Sequence, residues 1–534
     1  TFTAPTTLNI SGSFLNGASG TFTHNSGTVI LDGQNQTVSG STAFYSFTKT
    51  ISSPETLTFA ASTEQTFSGT LTLKGVNGAN LLTLASSIST VDYLFTLDAA
   101  GSESLTQLDV ARSDASNGQE LTCINCIDNS NNTNWNFAFP AVVGTVYSDE
   151  GTTPVASAIV SLSSNGGSKL SSFTTDAGGQ YTVSGAFMTG GTILTLYLES
   201  VSSGVIIVIG SGSAMTGISI FANRLILRNE SGSYSMTNAD IAIADNNGAG
   251  FITGILSSAS TSAITVETGN ELLVWTGTTF VPGGTITTHD MDINGVLNFQ
   301  RNAITVKGSW DMTSGTLSGH TAITFAPKIT TATITSGGRT FSGVTLNGSG
   351  TVTLSDAMDI NGSLKVLSGT FVQGLFALNV SDDVRIASGA VFTKSANSSV
   401  FTFDGNLIFE DEVGTNLGVV QIGSSPETIT LSGSLHTDKL TIGTGDTLVL
   451  SGHNLFVGTG GLYIHGLLDA TDAGSNTSTI TVSGSWLASG TGDFISGRST
   501  VLFDGSAGSY NITASGAFYN MVFSGTGGTW NASG

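Results

Sequence analysis

Apolar and polar residues alternate along this chain in short runs, each closed by Gly, Ser, Asn or Asp, as in "GTLTLKG", "ALNVSDD" and "TSTITVSGSW". Alternation at period two places every second side chain on one face of an extended strand. No helical period separates the runs, so the pattern predicts many short strands arranged as a sandwich, a barrel or a solenoid.

Repetition selects the solenoid. "LNISGSFLNGASGTFTHNSGTVILDG" at residues 8–33 returns as "ITVSGSWLASGTGDFISGRSTVLFDG" at residues 480–505, and weaker copies occupy residues 304–325, 378–405 and 360–371. A module restated in this way cannot bury its apolar face alone and does so against the next copy. In the first copy Leu8, Ile10, Phe14, Phe22, Val29 and Leu31 are expected to point inward. Asp32-Gly33 and Asp504-Gly505 are expected to make turns at positive φ. Stacked coils of ~20 residues, ~4.8 Å apart, would make a rod on the order of 100 Å long.

Residues 142–187 break the texture. "GTVYSDEGTTPVASAIVSL" and "TTDAGGQYTV" resemble the carboxypeptidase regulatory-like domain, with Asp176 and Gly178-Gly179 matching its turn. The resemblance implies a small transthyretin-like β-sandwich with a structural or adhesive role and no catalytic residue. The expected organisation is therefore a β-solenoid over residues 1–139, a β-sandwich over 140–222 and a second β-solenoid over 223–534. The fold class is all-β, parallel β-helix-like. Residues 111–137 and 270–288 resemble modules of very large, repeat-built surface proteins of environmental bacteria, which implies an adhesin-like extracellular setting.

Composition sharpens this. Gly accounts for 69 of 534 residues, charged residues for only 10%, and the mean hydropathy is +0.23. That is too apolar for a disordered chain. With 37 Asp and Glu against 15 Lys and Arg, the net charge is -22. So few cations cannot neutralise a row of phosphates, which argues against nucleic acid as a partner and against anionic lipid. No apolar run reaches the ~18 residues of a membrane span. "GVIIVIG" at residues 204–210 reads as one buried strand, and direct membrane insertion is not expected. The chain starts at Thr1 without a basic-then-apolar leader, as expected of a processed protein or a piece of a longer one.

The candidate chemistry is sparse. Cys123 and Cys126 are the only cysteines. A local disulfide is expected, with inert thiols, a metal or a redox role as the alternatives, although no second C-x-x-C or histidine pair accompanies them. Carboxylates that leave room for a structural calcium are Asp245 in "DNNG" with Asn246, Asn247 and Gly248, Asp382-Asp383, Glu410-Asp411-Glu412, and Asp469 with Asp472. Solvated turns explain the same residues, and no cofactor is otherwise expected. His24, His289, His320, His436, His453 and His465 form no metal or triad spacing. Arg224, Arg301 and Arg339 sit in no acid-rich pattern, so the chain is not expected to be an enzyme. Trp275, Trp310, Trp486 and Trp530 could stack on sugars. Trp310 and Trp486 share the repeat position of Phe14, which suits a core role better.

The functional expectation is a structural extracellular protein, a subunit or segment of a cell-surface fibre, filament or sheath. An adhesin stalk binding glycans or a host surface is the alternative, and a polysaccharide-degrading β-helix enzyme the third reading. The two ends look complementary, since "TFTAPTTLNISGS" would continue "FYNMVFSGTGGTWNASG" without a break. Copies of the chain joined head to tail are the expected partners, with surface glycans second.

Overall fold

The computed structural model describes residues 1–76, 80–199, 204–232, 234–245, 252, 254–319, 322–328, 331–394, 399–423, 426–474 and 476–533. It is nearly all β, with 53% strand and 1% helix, and forms a β-solenoid of about 25 turns. The chain divides into two compact units. The first holds Thr1–Ser202, Val208–Phe221 and Glu230–Ser233; the second holds Ser203–Ile207, Ala222–Asn229 and Tyr234–Gly534.

In the first unit each coil contributes strands to three parallel ladders. One ladder runs through Thr7–Ile10, Thr28–Leu31, Ser46–Thr50, Thr70–Lys74, Ser102–Thr106, Leu121–Ile124 and Trp135–Ala138. The others pass through Glu55–Phe59 and Leu82–Ser86, and through Glu64–Phe67 and Tyr93–Leu97. Inward residues at period two close one core, in which Phe47, Phe59, Phe67, Leu82, Phe95 and Leu108 are fully buried. Val29 and Leu31 join it, whereas Leu8, Ile10, Phe14 and Phe22 are only partly buried, the first three on strands that are paired on one side alone. The parallel pattern then gives way to antiparallel pairs, Val142–Tyr147 with Gln180–Val183, and Ile159–Ser164 with both Ser171–Thr174 and Gly190–Leu198.

In the second unit the strand Arg224–Asn229 precedes a short helix, Asn238–Ala244, and a hairpin of Leu256–Ala259 with Ala263–Val266. The strand-only reading of the sequence missed the helix. Its signal is local: Thr237 caps the N-terminus, and Asp240 reaches back to the Thr237 backbone N–H at 2.8 Å, a reciprocal cap. Parallel coils follow. Ile304, Ile323, Val344, Leu364, Val384 and Phe409 stand in register pointing inward, while Thr305, Thr324, Thr345, Lys365, Arg385 and Glu410 form the matching outward row. Partners recur about twenty residues apart, one supersecondary unit per turn.

The Asp-Gly corners work differently from the expectation. Gly33 and Gly505 have ordinary negative-side backbone and are absent from the positive-φ glycines. A Cβ on Gly33 would lie 1.8 Å from the Ser11 carbonyl oxygen, and one on Gly505 would lie 2.7 Å from that of Ser483. Glycine is required there because adjacent coils approach too closely for a side chain, not because of a left-handed turn. Val205 to Ile209 are all buried, in the strand Val205–Ser211. Among the described residues no helix is long and apolar enough to cross a membrane.

Candidate functional site

The outward face of the second unit carries a groove of about 220 Å³. Alternation places it there: His436, Phe456, Thr481 and Leu502 occupy one outward row, one residue per coil, while Leu435, Leu455, Ile480 and Val501 beside them point inward. The His436 ring lies on Phe456 with centroids 4.2 Å apart and planes 18° apart. Burial holds the imidazole below its ordinary pKa, with the Asp411 charge pulling the other way. Along the rim, Asn416 Nδ2 donates to Asp438 Oδ1 at 2.8 Å and Ser483 Oγ donates to Asp504 Oδ1 at 2.6 Å. An aromatic floor with carboxylate and amide groups at its edge can stack on an apolar ring face and accept hydrogen bonds from hydroxyls.

A second cleft, about 570 Å³, lies within the first unit and is walled by Val76, Ile124, Phe139 and Pro140 with Gln107 and Asn125. Asn125 is buried and holds both ends of its amide: Nδ2 donates to the Met188 carbonyl at 2.7 Å, and Oδ1 accepts from the Met188 N–H at 3.0 Å. Its amide is thereby satisfied within the protein, and the cleft is lined by apolar and polar groups together, Thr106, Gln107 and Ser213 among the latter.

The sequence-predicted residues are dispersed over different coils. Cys123 and Cys126 lie side by side, Cα atoms 5.7 Å apart, both buried and joined through sulfur, and Cys126 Sγ also accepts from the Leu108 N–H at 3.2 Å. Asp245 ends the helix as its C-cap, buried enough to raise its pKa, while Asn246, Asn247, Gly248 and His320 lie outside the described residues. The other proposed calcium carboxylates are engaged by the protein. Asp382 accepts from Ser363 and Asp383 from the Ile408 N–H. Glu410 and Glu412 both pair with Arg385, and Asp411 accepts from the N–H groups of Val413, Gly414 and Thr415. Asp469 and Asp472 cap the N–H groups of Thr471 and Asn476.

Among the remaining candidates, Arg224 pairs with Glu271 at 3.0 Å and Arg339 donates to the Gly315 and Gly337 carbonyls, while Arg301 is exposed. His24 accepts from Ser26, His289 pairs with Asp290, and His465 meets Ser489 Oγ at 2.9 Å. Trp310 and Trp486 are fully buried; Trp275 is half-buried under Arg228, and Trp530 packs on Phe503 and Tyr510.

Two clusters escaped the sequence reading. Asp404, Glu427 and Asp446, from neighbouring coils, meet at one corner of the second unit, where the Glu427 N–H donates to Asp446 Oδ1 at 3.1 Å. Lys49, Glu55 and Gln36 meet inside the first. Only coil-length spacing between single acids could have hinted at the former.

At the last coil of the second unit, Val501 and Phe503 pair with Met521 and Phe523. Val501 and Phe503 are 0% exposed, whereas Met521 is 40% and Phe523 53% exposed. Inward-register side chains thus stand open beside the Asn520–Phe523 edge, which among the described residues pairs only with Thr500–Phe503.

No family model, no curated protein and no solved structure matches this chain.

Proposed function

We propose that this chain is a structural extracellular repeat protein, part of a cell-surface fibre, filament or sheath built by coil-on-coil stacking. The observation that carries this reading is the open inward register at Met521 and Phe523, which a further coil would close as Phe503 is closed now. A stacked edge of this kind is heterologous, and repetition of the contact propagates a filament. The covering coil belongs either to the same polypeptide or to a second copy, and the structural role is the same in both cases. Support also comes from the low overall share of charged residues, 10%, and from the acidic balance that disfavours nucleic acid. Within this reading the 142–187 segment is a carboxypeptidase regulatory-like insert.

The glycan-binding adhesin stalk is the second reading, favoured by the groove of His436, Phe456, Asp438 and Asp504. Electron microscopy of the full chain across a concentration series, with and without calcium, separates them. Filaments of constant axial repeat that lengthen with concentration support self-assembly. Single particles at every concentration overturn self-assembly, and binding of neutral oligosaccharides that Phe456→Ala abolishes would then support the stalk.

A further inference from the structure

A lysine occupies a ladder position that otherwise holds apolar side chains. Ile10, Leu31, Lys49, Leu73 and Leu105 stand in register inside the first unit, and Lys49 is 1% exposed. Its Nζ lies 2.6 Å from Glu55 Oε2, whose side chain is 8% exposed. The same Nζ lies 3.1 Å from Oε1 of Gln36, itself 2% exposed, and also donates to the Gly33 carbonyl. The Gln36 carboxamide is pinned from its other side, its Nε2 donating to the Ile10 carbonyl at 2.7 Å and to the Gly12 carbonyl at 2.5 Å. An amine, a carboxamide and a carboxylate are therefore held together away from water.

We propose that Lys49, Gln36 and Glu55 form a self-cross-linking site, in which the Lys49 amine displaces ammonia from the Gln36 carboxamide and leaves an amide bond inside the solenoid. Glu55 takes a proton from the Lys49 ammonium, and the free amine attacks Cδ of Gln36. The new Cδ–Nζ bond forms, Glu55 returns the proton to Nε2, and the Cδ–Nε2 bond breaks. Amine plus primary amide becomes secondary amide plus ammonia. Nothing is oxidised or reduced, and no further reagent enters; the second proton lost by Nζ rests on Glu55 or leaves with ammonia as ammonium.

Two physical terms favour the step. Fixed contact between the groups replaces the improbable encounter of an amine with an unactivated amide, a large effect for well-oriented partners. The starting state buries a charge pair at a desolvation cost, whereas the product carries no lysine charge and can leave Glu55 protonated and neutral. The bond would span residues 36 and 49 and tie two sides of the coil stack together, independently of any partner or ligand.

The test is mass spectrometry of the full chain, denatured and reduced, followed by trypsin digestion. No Lys or Arg precedes Lys49, and Lys74 is the next cleavage point, so an unlinked chain yields peptides 1–49 and 50–74. The expected result is an intact mass lighter by one ammonia and a peptide 1–74 that carries that loss, resists cleavage after Lys49 and gives no backbone fragments separating residues 36 and 49. The full sequence mass with normal cleavage after Lys49 would overturn the proposal. So would an ammonia loss mapped to another residue, such as an asparagine. Lys49→Arg is expected to restore the ammonia, and Glu55→Gln to do so while Lys49 and Gln36 remain; linkage that persists in Glu55→Gln overturns the proton-carrying role of Glu55.

Discussion

The backbone N–H of Glu427 donates to Oδ1 of Asp446 at 3.1 Å, which brings the carboxyl groups of two neighbouring coils to one corner. Asp446 is 2% and Glu427 7% exposed, and Glu427 Oε2 has no hydrogen-bond partner among the described residues. Burial first, then the charges of Asp404 and Asp446, push the Glu427 carboxyl up to about 7. In the unfolded chain it ionises near its ordinary 4.5. Between those values the folded chain holds a proton that the unfolded chain has lost, so this group makes stability fall as pH rises through that window. Urea midpoints at pH 5 and pH 7.5 are expected to differ less in Glu427→Gln than in the native sequence. An unchanged difference would remove Glu427 as the source.

Lys394 titrates with the opposite sign. Burial lowers its amine to about 8, although it donates to the carbonyls of Ser399 at 2.6 Å and Leu417 at 2.8 Å. Above about 8 the folded chain sheds a proton that the unfolded chain keeps up to its ordinary 10.5, so the contribution of this group to stability rises with pH across that interval. Lys394→Met is expected to abolish this rise and to lower stability at every pH by removing the donor to the Leu417 carbonyl, which thermal melts between pH 7 and 10 would reveal.

Trp486 sits at 0% exposure between Phe494 and Phe518, with ring centroids 4.9 and 5.2 Å away. Trp486→Ala is expected to cost about 3–5 kcal/mol, as large buried aromatics do. Trp275→Ala removes a half-buried ring and is expected to cost much less. Because coils stabilise their neighbours, limited proteolysis of Trp486→Ala should cut first in the coils next to residue 486. Cleavage spread evenly along the chain would contradict that local effect.

The open edge supplies a direct test of assembly. Met521→Ser together with Phe523→Ser removes the apolar side chains that a covering coil would meet and leaves the core at Val501 and Phe503 in place. Sedimentation velocity is expected to show the native chain growing in size with concentration and the double variant remaining at one size. Equal behaviour of the two would locate any association elsewhere.

Cys123 and Cys126 are buried and joined. Thiol titration is expected to find no free thiol in guanidinium without reductant and two thiols after reduction, matching the two cysteines of the chain. Two thiols without reductant would mean the pair stays reduced.

Much of the architecture is legible in the chain because period-two burial is a local property. Val29 and Leu31 were readable as core residues from alternation alone, and Trp310 and Trp486 from the repeat position they share with Phe14. Contacts between coils are not local. Alternation from Phe47 puts Lys49 on the inward face, but nothing near it in sequence announces that it meets Gln36 and Glu55 there, since that depends on how the chain turns between strands. The meeting of Asp404, Glu427 and Asp446 depends likewise on how many residues each coil takes to turn its corners. Gly33 shows a subtler failure: the glycine was expected from turn chemistry, but the constraint on it is the Ser11 carbonyl of the preceding coil.

The inward row Ile304, Ile323, Val344, Leu364, Val384 has a consequence for how such a chain can change length. Excising residues 344–363 would set Leu364 against Ile323 where Val344 now stands, with Lys365 taking the outward place of Thr345. Both edges of the cut would meet a strand of the same polarity and the same parity. Loss or gain of one residue within a strand would instead turn its apolar side chains outward. Gene-level insertions and deletions in this protein should therefore be tolerated in whole turns and rejected in fractions of one, so that its length is free to drift while its cross-section stays constant.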